Sequence, residues 1–142
     1  IARMVALATL MPIVAGLGGN AGTQTLAVTV RALATNQLTA SNALRAVRRE
    51  IAIAFLNGST VAVVVGIAVS LLFQNLVLGG VIALAMMTNI VIAGLAGVFV
   101  PLTLDRLKAD PAISSSIFVT MTTDSMGFLV FLGLATVSGL VG

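Results

Sequence analysis

Apolar residues fill this chain in long stretches, and the positions of its few charges divide it into membrane-sized pieces. Residues 4–30, 51–104, 111–123 and 125–142 carry no charged side chain. A membrane-spanning helix needs about 20 mainly apolar residues. The first stretch therefore predicts one helix, over approximately 4–33. The second is long enough for two helices and a turn. Its most polar and turn-like points are Gln74-Asn75 and Gly79-Gly80, which divides it into helices near 51–73 and 78–104. The last two stretches are separated by Asp124 alone and read as one helix, approximately 112–140, with a carboxylate inside it. The predicted fold is an all-α membrane bundle of four transmembrane helices in a single domain over 1–142, with loops at 34–50 and 105–111.

The ends of these elements carry their own signals. Asp110-Pro111 offers a capping acid followed by a proline at the first helical position, which suits the start of the fourth helix. In the first loop, Ser41 is placed to cap a short amphipathic helix with Leu44, Val47 and Ile51 on one face.

Composition agrees with lipid as the solvent. The chain has 142 residues, of which 59% are hydrophobic and 8% charged, and a mean hydropathy of +1.20. A soluble domain is about a quarter charged, and one core of this size cannot hide so much apolar side chain from water. A soluble enzyme, a disordered segment and a nucleic-acid-binding domain are excluded. Cys and His are both absent, which removes disulfides, Cys/His zinc sites and histidine bases. The sequence starts at Ile1 with an apolar run too long for a signal peptide, and is expected to be a piece of a longer protein.

The formal charge of +3 reports orientation. Arg31, Arg45, Arg48 and Arg49 flank or occupy the first loop, and Arg106 and Lys108 the third, whereas only Arg3 lies on the other side. Six basic residues against one place the loops 34–50 and 105–111 in the cytoplasm.

Polarity inside the spans is confined to three places. The first helix contains PIVAGLGGNAGTQT, Pro12 to Thr25, where four glycines accompany Asn20, Thr23, Gln24 and Thr25. Gly18 and Gly22 form a small-xxx-small pair that permits close helix packing. The stretch is read either as a tight helix crossing or as a loosened helix whose polar groups face water or an ion. The second place is Asp124, flanked by Thr120, Thr122, Thr123 and Ser125. An acid at the bilayer centre costs about 2.5–3.5 kcal/mol and usually faces a pathway or a partner. Thr120 and Asp124, four residues apart, share a helical face with Gly127 and Phe131. The third comprises Asn57, Ser59, Thr60, Thr88 and Asn89, isolated polar residues of the kind that hydrogen-bond between helices.

The inventory excludes most chemistry. An intramembrane serine protease needs a base and an aspartyl protease two deep acids; this chain has no His and one deep acid. One carboxylate among hydroxyls and carbonyls makes an all-oxygen environment, suited to a hard cation such as Mg²⁺, Ca²⁺ or Mn²⁺. A single carboxylate does not neutralise a divalent ion, but two from a twofold-symmetric dimer do. The expected partners are therefore a second copy and the lipid bilayer, with no nucleic acid.

The segment PIVAGLGGNAGTQTLAVTVRAL, the RRE that precedes the second helix here, and DPAISSSIFVTMTTDSMGF resemble the MgtE magnesium channels across all four helices. The resemblance implies a homodimeric, multi-pass divalent-cation channel of the inner or plasma membrane, not an enzyme. It also implies a five-helix domain lacking its first helix here, normally preceded by cytoplasmic regulatory domains. By the same resemblance, Asp124 and the backbone carbonyl of Thr120 are the metal ligands. The resemblance also places Asn20, Gly19 and Gln24 along the pore; Thr123 and Gly127, close to Asp124 in sequence, are expected to line it as well, and Gly18 and Gly22, by their spacing, to serve helix packing. Similarity to solute-carrier magnesium transporters leaves a Na⁺-coupled exchanger as an alternative, and a non-conducting assembly subunit is a third reading.

Overall fold

The computed structural model describes residues 2–37, 39 and 41–141. They form four helices: α1 (Ala2–Ala34), α2 (Ala43–Leu72), α3 (Leu76–Arg106) and α4 (Pro111–Val137). All four are long and apolar enough to cross a membrane. At 1.5 Å per residue they measure about 40–50 Å, the thickness of a bilayer with its headgroup layers.

The third helix is the axis of the bundle. It packs against α1, α2 and α4; α1 also packs on α4, while the main support of α2 is α3 alone. Half of the most apolar window of α3 is buried, against 22–33% in the other helices. Large side chains gather at one end of the bundle, where Leu10 and Val14 of α1, Ile82 and Met86 of α3, and Phe131 of α4 form the main core. The other end is knitted by smaller groups around Leu26, Ala96 and Val119. Lipid tails are as apolar as leucine, so this packing rests on close fit rather than on exclusion of water. For the same reason, the exposed Phe55, Leu56, Ile67, Ile113 and Ile117 carry no penalty against lipid or against another apolar helix.

All four helices end in the same way. Asn36, Gln74, Lys108 and Gly139 adopt positive φ of 54°, 47°, 58° and 73°. The following N–H reaches back five residues in each case, for example Ala109 to the Leu104 carbonyl at 2.9 Å and Leu140 to Ala135 at 2.9 Å. These left-handed caps satisfy carbonyls that the last helical turn leaves open.

Several boundaries differ from the sequence reading. The second helix starts at Ala43 rather than near 51, and absorbs the short amphipathic helix. Ala43–Glu50 reads ALRAVRRE, good helix formers apart from Val47, and a charge-free run marks only the membrane-embedded part of a helix. Ser41 does not cap it: its hydroxyl pairs with Thr39 Oγ1 at 2.8 Å, and the N-cap is Asn42. Leu44, Val47 and Ile51 share one side of this longer helix, with Leu44 79% exposed. The turn falls at Phe73–Asn75 with Asn75 capping α3 through the Leu78 N–H at 3.0 Å, but Gly79 and Gly80 lie within α3. A Cβ on Gly79 would meet the Gly66 carbonyl of α2 at 2.5 Å, so glycine here serves close approach, not turning. The fourth helix begins as read, with Asp110 Oδ1 accepting from Ala112 N at 2.9 Å, and stops at Val137.

Candidate ion-conducting site

One buried stripe orients α4. Ser115, Val119, Thr123, Gly127, Phe131 and Ala135, each four residues from the last, are all buried, as expected of one helical face. Asp124 lies midway along α4 and one position round from this stripe, and it is half-buried. Thr120 is exposed, on the same side as Asp124. Gly127 and Phe131 therefore belong with Thr123 on the packed face, and Thr120 and Asp124 flank it. The neighbouring hydroxyls serve their own helix: Thr122 Oγ1 donates to the Phe118 carbonyl at 2.8 Å, and Thr123 Oγ1 to the Thr120 carbonyl at 3.0 Å.

The glycines of α1 let that helix sit against both α3 and α4. A Cβ on Gly19 would lie 3.7 Å from Thr123 Oγ1, so Gly19 and Thr123 are brought together beside Asp124. A Cβ on Gly22 would meet Val119 Cγ1 at 2.7 Å, and one on Gly18 would collide with the Asn89 side-chain amide. Both residues of the small-xxx-small pair are thus occupied by contacts within this chain. From the other side, a Cβ on Gly97 of α3 would meet the Gly22 carbonyl at 2.8 Å and the Leu26 amide nitrogen at 3.0 Å, so the α1 and α3 backbones nearly touch.

Asn89 ties these helices together. It is fully buried, and its Nδ2 donates to the Val14 carbonyl of α1 at 3.0 Å. Its Oδ1 is buried without a partner, as is Ser115 Oγ. A Cβ on Gly127 of α4 would stand 2.7 Å from Asn89 Nδ2. Among the other isolated polar residues, Ser59, Thr60 and Thr88 bond to carbonyls of their own helices, so Asn89 is the one of that group seen bridging helices.

Asn20 and Gln24 lie elsewhere. They face a groove of about 480 Å³ between α1 and α2, where Glu50 and Asn57 of α2 join them above Ile90. The groove exists because α2 rests on α3 and leaves α1 unsupported on that side. Sequence reasoning did not single out Glu50 or Asn57 as site residues. The signal available was their spacing of seven, which places them two turns apart on one face of α2. Among the described residues, no three His, Cys, Asp or Glu side chains form a metal-binding group. The oxygens near Asp124 are thus carbonyls and hydroxyls, the donor set of a weakly held hard cation.

The sequence profile of MgtE, described as a divalent cation transporter, matches residues 11–134. The chain belongs to the MgtE family. It is similar to the magnesium transporter MgtE of Bacillus subtilis (strain 168), with 36% identity over 135 residues, covering 94% of this chain and 30% of that protein. The Enterococcus faecalis magnesium transporter MgtE is 37% identical over 130 residues, covering 92% of this chain and 29% of its own length. That of Thermus thermophilus is 32% identical over 132 residues, or 93% and 29%. The chain thus spans about 30% of the length of these relatives. The matched region takes in both the glycine-rich segment of α1 and Asp124. MgtE membership and four apolar spans make this a multi-pass protein of the cell membrane.

Proposed function

We propose that this chain is the ion-conducting membrane part of a Mg²⁺ transporter, with the cation passing Asp124 on the axis of a homodimer. The observation that carries this reading is a carboxylate at the midpoint of an apolar span, half-buried beside a glycine-bearing helix, in a family of divalent cation transporters. At an effective dielectric of about 20, a divalent ion some 4 Å from one carboxylate gains roughly 8 kcal/mol before desolvation. Two copies of Asp124 balance the charge of the ion, which is the reason for a dimer. Mg²⁺ gives up its waters reluctantly, so few direct ligands suffice if the hydrated ion is held. The Thr120 carbonyl already accepts from Thr123 Oγ1, and a cation using it competes with that hydroxyl. Asn20, Gln24, Asn57 and Glu50 place further side-chain oxygens in the separate, mainly apolar groove between α1 and α2. The relatives are named as magnesium transporters, and Mg²⁺ is accordingly the cargo we assign, with Mn²⁺ and Ca²⁺ as competitors of the same chemistry.

The test is Mg²⁺ flux into liposomes holding the full chain. Asp124→Asn keeps volume and hydrogen-bonding capacity but removes the charge, and is expected to abolish flux while the protein still folds and dimerises. Wild-type flux through folded Asp124→Asn overturns the site. Flux that requires a Na⁺ gradient favours coupled exchange, and a transporting monomer in native mass spectrometry removes the dimer axis.

A further inference from the structure

The arginines at the charged end of the bundle are arranged against local stability. Arg45 lies in the first turn of α2, which contains no acid, where a positive charge opposes the helix dipole. Arg45 and Arg49 are four residues apart, a like-charge spacing that is also unfavourable. The N-cap does not relieve this, because Asn42 makes no side-chain bond to its own helix. Its Oδ1 instead accepts from Thr39 N at 2.8 Å and its Nδ2 donates to the Gln37 carbonyl at 2.6 Å. Arg31, in the last turn of α1, joins the pair across a basin of about 340 Å³ whose lining also includes Gln37 and Asn42, with Glu50 as its one acid. Where local rules are broken together in this way, a missing interaction is the economical cause. An anion would relieve all of these conflicts at once.

The position of the basin selects the kind of anion. Helices about 40–50 Å long reach through the headgroup layers, and the basin joins the end of α1 to the start of α2. Its floor includes Val28, Ala32 and Ala46, and Leu44 beside it is 79% exposed. We propose that Arg31, Arg45 and Arg49, with the N-terminus of α2 that the Asn42 side chain leaves open, form a binding site for the phosphate of an anionic phospholipid headgroup. Arginine suits this task because its planar fork engages phosphate oxygens in pairs, and the free N–H groups at a helix start add donors to the same anion. Arg48 is exposed in the same turn but does not line the basin, which provides an internal control.

The test is native mass spectrometry of the detergent-solubilised full chain titrated with phosphatidylglycerol and, separately, phosphatidylcholine. We expect tighter retention of phosphatidylglycerol. Losing one direct arginine–phosphate contact costs about fivefold, so Arg31→Gln/Arg45→Gln should weaken phosphatidylglycerol by roughly twentyfold, and Arg48→Gln, outside the basin, should leave it within twofold. Should the double variant not fold, Arg45→Gln alone is expected to cost about fivefold. Equal retention of the two lipids, a loss for Arg48→Gln as large as for Arg45→Gln, or no loss for Arg45→Gln overturns the site. Displacement of phosphatidylglycerol by equimolar inorganic phosphate would assign the basin to a soluble anion and overturn the lipid.

Discussion

Asn89 on α3 donates its side-chain amide to the Val14 carbonyl on α1 across 3.0 Å, and it does so from a slot that only glycine leaves open on either side. Gly18 of α1 and Gly127 of α4 both face the amide, and a Cβ on either would run into it. One polar side chain thereby fixes the spacing of three helices near the level of Asp124.

Removing that amide should loosen the bundle measurably. Interhelical hydrogen bonds in membranes average about 0.6 kcal/mol, and Asn89→Ala also leaves a small void, so a loss of about 1–2 kcal/mol is expected. Asn89→Leu should be worse, since branched carbon must replace a planar amide between two glycines. Unfolding in detergent measures both; equal stability of Asn89→Leu and wild type would show that the slot is not tight.

Glycines of one helix should respond in opposite ways. Gly97→Ala of α3 places a methyl 2.8 Å from the Gly22 carbonyl and 3.0 Å from Leu26 N; both are backbone atoms that move only with α1. A loss of about 1–3 kcal/mol is expected from such overpacking. Gly80→Ala, also in α3, meets nothing within 4 Å and should be neutral or gain up to about 1 kcal/mol from helix propensity. Thermal melts of the two variants side by side decide this.

Gly19→Ala separates conduction from folding. Its new methyl makes an ordinary 3.7 Å contact with Thr123 Oγ1, so stability should hold within about 0.5 kcal/mol. The same methyl narrows the space beside Asp124, and Mg²⁺ flux should fall several-fold. Asp124→Glu should likewise give intermediate flux, because the charge is kept but displaced by one methylene. Unchanged flux in folded Gly19→Ala would remove that glycine from the ion path.

Orientation is open to direct labelling. Thr39 and Gln74 are exposed at opposite ends of α2. Thr39→Cys should react with an impermeant thiol reagent from the cytoplasmic side and Gln74→Cys from outside, as six basic residues against one require. Reversed labelling overturns the orientation.

What the sequence disclosed follows from how local each signal is. The four spans, the turn at Gln74-Asn75 and the Asp110 cap are written in neighbouring residues, and all are present in the structure. The start of α2 was missed because arginines do not stop a helix; they only stop it being buried in lipid. Gly79-Gly80 was read as part of the turn because glycine marks turns and close approaches alike, and only the partner helix tells them apart. The facing of α3 was beyond reach, since a helix apolar on every side has no periodicity to read. That is why Thr88 and Asn89, adjacent and both polar, could not be distinguished, although one bonds to its own helix and the other spans to α1. Asp124 stood out because a lone acid in lipid needs no partner to be conspicuous, whereas the grouping of Glu50 and Asn57 with Asn20 and Gln24 became visible only once α1 and α2 were seen to share a groove.

The dependence of α2 on α3 alone has a consequence for biogenesis. Two apolar helices joined by the short turn Phe73–Asn75, with no charge between Ile51 and Leu104, can leave the translocon as one hairpin that asks nothing of the rest of the chain. Gly66→Cys/Ala83→Cys, whose Cβ positions approach to 3.0 Å, should therefore crosslink in nascent chains halted just after α3. Crosslinking that waits for α4 would mean that the bundle closes all at once. With the hairpin made first, the seam between α1 and α4, where Gly19 meets Thr123 next to Asp124, closes only when the last helix arrives.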